Sequence, residues 1–300
     1  MIELGQCYTY QEIMKEIKRI AATYQDVISY HTIGKSHDDR EIPMLMLGSG
    51  AKCLVCTAGV HGRESVNPVV FLKMIEEYCV AYVAGAMWNI HIDMSSLLSR
   101  YAICFIPLLN PDGYAIAIEG FDVIRNMTLR KKNKELNIPA KEWKRNGRGI
   151  DINRNFPSFS YAPIHADDSA GSEKETKALI KVFQKYEMGA YLDFHSRGKI
   201  IYYFRAALGE AYNRNSHAMA RQLQRSCQYD MGTAREEFLT ENSGGNTVHY
   251  FSEKFNLPAI TVETIAEEAK FPLDLCYQAI TYKEIVGLPI VAVQYLSSMY

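Results

Sequence analysis

The chain has 300 residues, a formal net charge of -1 and 48% hydrophobic residues. That is enough apolar sequence for a sizeable core, and the charge is too balanced for a protein devoted to a polyanion. No run reaches the roughly 18 apolar residues of a membrane span, and "MIELGQCYTYQEIMKEIKRI" has acids early and no basic stretch before an apolar block, so a protein without membrane or nucleic-acid contacts is expected, cytoplasmic, or secreted if a leader is removed.

Between Tyr10 and Tyr24, Ile13, Ile17 and Ile20 recur at helical spacing. "VISYHTIG" and "IPMLMLG" read as strands on either side of the turn-rich "GKSHDDRE". "KCLVCTAG" is apolar on both faces, as a central strand is. Asn67 and Pro68 offer an N-cap and a first-turn proline for a helix to about Val83. "YAICFIPLL" is a fourth strand ending in the turn "NPDG". Ser172 and Glu175 have the spacing of a capping box for a helix to about Tyr186. "GAYLDF", "KIIYYF" and "PAITVE" read as strands, and Leu275 to Tyr295 as a last helix. Strands and helices alternate without repeat or linker. The expectation is an α/β fold, one domain over residues 1–300, with a central mixed, mostly parallel sheet flanked by helices. Cys53, Cys56, Cys79 and Cys104 lie in apolar runs and read as buried thiols of a reducing compartment. Cys53 and Cys56 lie in a strand, where residues three apart face opposite ways, so they are not read as a metal pair.

In such sheets ligands bind beyond the carboxyl ends of the strands. His61 and Glu64 follow the third strand, His195 ends "GAYLDF", and Glu263 ends "PAITV". Two imidazoles and a carboxylate make a catalytic zinc site with one position left for water, so His61, Glu64 and His195 are read as ligands of one Zn²⁺. A carboxylate beside that water takes its proton and passes it to a leaving amine, the task given to Glu263.

"HGRE", "NPDG", "DINRNFP", "FHSRG" and "ITVET" occur in an order and spacing that resemble the zinc carboxypeptidases of the carboxypeptidase A type. The resemblance runs from "YTYQEIMKEI" to Glu263. It implies the same three zinc ligands, Glu263 as general base, Arg63 as a substrate-contacting arginine, and Asn153 with Arg154 as the holders of a terminal carboxylate. The last reading also has its own physics, because an arginine fork fixes a carboxylate in orientation as well as distance. Asp151 is read as a partner of a ligating histidine.

The chain departs from that pattern at three places. The oxyanion-stabilising arginine after a tryptophan is replaced in "EWKRNG" by Lys144, with Arg145 next to it. The mobile tyrosine before the Gly-Gly pair is Thr240. The position that sets side-chain preference falls at Thr247. "FHSRGKIIYYF" and the missing tyrosine are more similar to bacterial peptidases that cut γ-D-glutamyl–diamino acid bonds of cell-wall peptides. Residues 125–148 hold nine Lys/Arg against two Asp/Glu, a basic rim suited to an anionic muropeptide. The expected function is a zinc peptidase acting on a peptide next to a residue with a free carboxylate. The alternatives are a general carboxypeptidase releasing C-terminal L-amino acids, a zinc N-acyl amino acid deacylase, or a peptide-binding module without catalysis.

Overall fold

The computed structural model describes residues 1–85, 87–88, 92–163, 168–239 and 244–298. The apolar runs of the sequence become the strands of an eight-stranded sheet. These are β1 (Ile28–Lys35), β2 (Glu41–Leu47), β3 (Lys52–Thr57), β4 (Tyr101–Ile106), β5 (Glu187–Ser196), β6 (Ile200–Tyr202), β7 (Asp230–Met231) and β8 (Ala259–Thr264). Their order is β1-β2-β4-β3-β5-β8-β6-β7. The centre, β4-β3-β5-β8, is parallel throughout. Antiparallel pairs join β1 to β2, β2 to β4 and β8 to β6. The mixed sheet with a parallel centre is the α/β architecture expected from the alternation of elements.

Helices cover both faces. The principal ones are α1 (Tyr10–Thr23), α2 (Val66–Val83), α3 (Pro111–Glu119), α4 (Lys174–Lys185), α5 (Glu210–Cys227), α6 (Thr247–Phe255), α7 (Cys276–Ile285) and α8 (Leu288–Ser298). Residues of α1, α2, α5 and α8 pack with Leu54, Cys56, Leu192 and Phe194 on one face. Residues of α4 and α6 pack with Cys53, Val55 and Tyr191 on the other. Because the central strands are buried on both sides, their sequences are continuous rather than alternating. Phe71 of α2 meets Phe105 of β4 and Phe194 of β5 edge-on, with ring centroids 5.6 and 5.0 Å away. Truncating a buried ring of this kind costs about 3–5 kcal/mol. No helix among the described residues is long and apolar enough to cross a membrane.

Five local expectations are corrected. Helix α2 starts at Val66 after Ser65, which makes no side-chain cap, and Asn67 lies buried in the first turn with its amide committed elsewhere. Helix α4 starts after Glu173 without a side-chain cap; Ser172 donates instead to the Glu173 carboxylate at 2.7 Å, and Glu175 is buried. "NPDG" is a helix start rather than a bare turn, since Asn110 accepts from the Gly113 N–H at 2.9 Å and Pro111 opens α3. "KIIYYF" is a strand only over Ile200–Tyr202. The last helix is two, α7 and α8, which divide around Val286 and Gly287.

The parallel register decides where the chemistry lies. Thr57 pairs with Asp193, and His195 pairs with Glu263, so β3, β5 and β8 end side by side.

Candidate metal centre

The loop after β3 brings His61 and Glu64 back over the end of β5. It packs so tightly on α3 that a Cβ at Gly62 would lie 2.2 Å from the Gly113 carbonyl carbon, which only glycine permits. The Glu64 N–H bonds the His61 carbonyl at 3.2 Å and folds the two side chains together. His61 Nδ1 lies 2.7 Å from Glu64 Oε1, and His195 Nδ1 lies 3.2 Å from Glu64 Oε2. The two imidazole centroids are 5.0 Å apart.

Each ring is held from behind by an acid. His61 Nε2 is 3.2 Å from Asp151 Oδ1, and His195 Nε2 is 3.0 Å from Asp193 Oδ2. A carboxylate on Nε2 keeps the proton of a neutral imidazole there and leaves the Nδ1 lone pair facing Glu64, the arrangement that orients metal-binding histidines. Burial disfavours ionised Glu64, but the two imidazoles hold its carboxyl at about 2. Burial likewise opposes protonation of His61, yet Glu64 and Asp151 push it up to about 9, and His195 is raised well above its ordinary value by Asp193 and Glu64. Without a metal the rings therefore carry protons, and a divalent cation must displace them.

A second group, His37, Glu173 and Glu175, has the same ligand types close together. His37 Nε2 is 3.0 Å from Glu173 Oε2, but the Asn146 amide donates to that oxygen at 2.7 Å and to Glu175 Oε2 at 3.1 Å. The side-chain N–H groups already serve the oxygens that a cation would need. Around Glu64 no such side-chain donor intervenes among the described residues; there Oε2 accepts only the backbone N–H of Ser196, at 3.2 Å, besides His195.

Glu263 stands one strand from His195, and its Oε2 is buried without a hydrogen-bond partner among the described residues. Burial pushes its carboxyl up to about 7, with the neighbouring Glu64 and Asp193 charges adding and the histidines opposing. A carboxyl poised near neutrality suits proton transfer in both directions.

The two cations of "EWKRNG" separate. Lys144 Nζ pairs with Asp151 Oδ2 at 2.6 Å, and its carbonyl accepts the Gly62 N–H, so Lys144 belongs to the site. The guanidinium of Arg145 donates to the Gly149 carbonyl at 2.9 Å and closes its own turn, so of the two it is Lys144 whose side chain pairs with an acid beside His61. Asn153 and Arg154 sit in a 3-10 turn, Ile152–Arg154, that is docked on α6: Asn153 Oδ1 accepts the Thr247 N–H at 3.2 Å. The turn comes so near Gly245 that a Cβ there would lie 2.7 Å from the Arg154 carbonyl oxygen, at a φ of +75. Thr247 itself is fully buried and its hydroxyl donates to Asp193 Oδ2, so it backs a histidine partner rather than lining a side-chain pocket. Arg63, between the two ligand candidates, stacks on Phe271. Thr240 lies outside the described residues. The basic 125–148 segment is no free rim over its length, because Arg125, Lys134 and Arg148 pair with Asp38, Asp122 and Glu173.

Two positioning residues were not read from sequence. Asp193 lies two residues before His195 in a strand and so shares its face, a signal the spacing did contain. Asn67 donates to the His195 carbonyl at 2.9 Å and accepts from Thr264 Oγ1 at 3.1 Å, tying α2 to the ends of β5 and β8. Its place after Ser65 resembles a cap, and only the tertiary contact reveals its role.

A family profile described as zinc carboxypeptidase matches residues 13–279. The γ-D-glutamyl-L-diamino acid endopeptidase 1 of Lysinibacillus sphaericus is 22% identical over 297 residues, covering 94% of this chain and 71% of its own. Metallocarboxypeptidase A of Trichophyton rubrum is 25% identical over 211 residues, covering 64% of this chain and 46% of its own. The chain thus spans less than half the length of that fungal relative. Bovine thrombin-activatable fibrinolysis inhibitor, solved in complex with tick carboxypeptidase inhibitor, superposes with a TM-score of 0.78 at 18% identity, covering 99% of both chains.

Proposed function

The chain belongs to the zinc carboxypeptidase family, and on that premise we propose that His61, Glu64 and His195 hold one zinc ion and that the site hydrolyses γ-D-glutamyl–diamino acid bonds. The observation that carries the metal assignment is the convergence of both Nδ1 atoms on the Glu64 carboxylate, with each Nε2 backed by an acid. When bound, zinc lowers the pKa of its water to about 7 and polarises the scissile carbonyl. The Glu263 carboxylate takes the proton of the attacking water on its unpartnered Oε2 and delivers it to the leaving amide nitrogen, so the carboxylate is regenerated as the C–N bond breaks. Lys144 supplies positive charge where the carbonyl oxygen becomes negative. Asn153 and Arg154 hold the free carboxylate beside the scissile bond, which fixes the register of the peptide across the metal.

The finer substrate reading rests on similarity to the Lysinibacillus endopeptidase and on the "HSRG" turn after β5. Similarity to the fungal metallocarboxypeptidase favours a second reading, release of C-terminal L-amino acids from ordinary peptides. Mass spectrometry of products from L-Ala-γ-D-Glu-diaminopimelate beside a blocked L-dipeptide separates the two. A kcat/KM ratio above one for the cell-wall peptide is expected, and a ratio below one selects the second reading.

A further inference from the structure

Two guanidinium groups stand on one aromatic ring beside the metal candidates. Arg63 Cζ is 4.3 Å from the Phe271 centroid, and Arg197 Cζ is 5.6 Å from it. Arg63 lies between His61 and Glu64 in sequence, and Arg197 lies two residues after His195. The Nε of each is buried and has no hydrogen-bond partner among the described residues. Among the described residues no carboxylate stands within ion-pair distance of either. Stacking on a ring compensates part of a guanidinium's desolvation, but it leaves the fork of in-plane N–H groups unused. Two like charges gathered on one ring without a counter-ion repel each other, and an anion between them removes that cost.

The position of this pair relative to the other arginine matters as much as its charge. The turn that carries Asn153 and Arg154 is anchored by Ile152 and Phe156 in the core on the α4 and α6 face of the sheet. Phe271 packs against the core on the opposite face. The metal candidates lie between, at the ends of β3 and β5. A peptide whose free carboxylate rests at Arg154 and whose scissile amide lies at His61, Glu64 and His195 sends its acyl part toward Arg63 and Arg197.

We propose that Arg197, with Arg63 and Phe271, forms a second anion subsite that binds a carboxylate on the residue donating the scissile carbonyl. This inference rests on the peptidase reading and names the chemistry of its acyl side. A glutamyl residue supplies such a carboxylate in two ways: as the α-carboxylate when it is γ-linked, or as its side chain when it is α-linked. Each lies three carbons from the scissile carbonyl. Arg197 is the specificity-determining member, because Arg63 alone would face a single charge to a peptide carbonyl as readily as to a carboxylate.

The test uses the full zinc-loaded chain carrying Glu263→Gln, so that peptides bind without being consumed. Calorimetric titration compares L-Ala-γ-D-Glu-diaminopimelate, the same peptide with the glutamyl α-carboxylate converted to carboxamide, and the α-linked L-Glu isomer. The carboxamide is expected to bind about ten- to a hundredfold more weakly, the range of a charged hydrogen-bonded contact. Adding Arg197→Gln is expected to weaken the carboxylate peptide to the level of the carboxamide and leave the carboxamide unchanged. Arg197→Lys is expected to restore part of the difference. Equal affinity for carboxylate and carboxamide, including no detectable binding of either, overturns the subsite, as does an Arg197→Gln loss that is the same for both. The isomer arm tells which linkage presents the carboxylate better. A parallel turnover assay with the native Glu263 separates the two claims: a persistent binding difference with no cleavage leaves the subsite standing and removes the hydrolytic reading.

Discussion

Replacing Asp193 by asparagine tests the metal centre from behind. Asp193 is 1% exposed and collects three donors: His195 Nε2 at 3.0 Å, Thr57 Oγ1 at 2.5 Å, and Thr247 Oγ1. Burial works against its charge, but His195 and the two hydroxyls hold its carboxyl below the ordinary range. Asparagine has one oxygen where the acid has two, so one side of the group becomes an N–H donor. A hydroxyl can rotate to accept from it, whereas a metal-binding imidazole has only an N–H to offer at Nε2. The amide therefore settles with its oxygen toward His195 and Thr247 and its nitrogen toward Thr57. Ring orientation survives in that arrangement, but the negative charge that raises the basicity of His195 is gone. Loss of such a partner costs about ten- to a hundredfold in metal affinity, or about 1.4–2.7 kcal/mol. The assay is competition with a chromophoric zinc chelator at fixed pH, with circular dichroism to confirm the fold. Thr57→Val removes one donor and leaves the charge, and its effect should stay below about threefold, well short of the charge-removing change. Folded Asp193→Asn protein that binds zinc within twofold of wild type would refute the assignment of His195 as a ligand oriented by Asp193.

Glu263→Gln should keep zinc content and thermal stability while turnover falls by about 10²–10⁴, measured by elemental analysis beside steady-state kinetics; a loss of only a few-fold would name another base. Arg154→Lys should raise KM for a peptide with a free carboxylate while leaving that for its carboxamide unchanged, because a point charge replaces a fork; an equal rise for both would remove Arg154 from carboxylate binding. Glu175 gives a stability prediction away from the site. Burial pushes its carboxyl up to about 7, with Asp112 adding, so the folded state holds the proton more tightly than the unfolded chain. Its contribution is full below about 4.5 and is lost as pH rises through about 7, up to about 3 kcal/mol in all. Denaturant titrations of Glu175→Gln from pH 5 to pH 8 should show a shallower decline than wild type, and parallel curves would show that the group is already ionised at pH 5.

What could be read from the sequence, and what could not, divides along sequence distance. Strand runs such as "KCLVCT" announce themselves because burial on both faces leaves no polar alternation, and the loop "HGRE" carries two ligand candidates within one turn. The placement of His195 and Glu263 at neighbouring strand ends follows from a rule about parallel sheets, and the two do pair across β5 and β8. The errors arise where a side chain serves two neighbourhoods. Asn67 and Glu175 both occupy positions that local helix chemistry explains well, as N-cap and capping-box acid. Both are instead taken by tertiary partners, the His195 carbonyl and the Asn146 amide. Arg145 and Lys144 are adjacent and equally basic, and nothing local says which one turns inward. The Gly62 N–H on the Lys144 carbonyl decides it by fixing the backbone of that loop against the metal candidates.

The charge balance of the pocket gives the arrangement its logic. Glu64, Asp151, Asp193 and Glu263 cluster around two imidazoles, and Lys144 is the one lysine or arginine paired with any of these acids among the described residues. Four carboxylates at the end of a buried sheet cannot all ionise cheaply without cations. In the metal-free chain the imidazoles accept protons and Glu263 moves toward its neutral form, which offsets the excess. Under the proposed function, a divalent ion held by His61, Glu64 and His195 would take the place of those protons, so the excess of acid would favour binding of the metal. Lys144 completes the balance at a cost in freedom. Its ammonium, 2.6 Å from Asp151, is needed there to support the His61 side of the centre, and it is also the cation nearest in sequence to the place where the family keeps an oxyanion arginine. An arginine can divide its N–H groups between two oxygens, whereas an ammonium on a flexible stem concentrates its charge on one. Under the proposed function, metal support and oxyanion support are therefore coupled through one side chain.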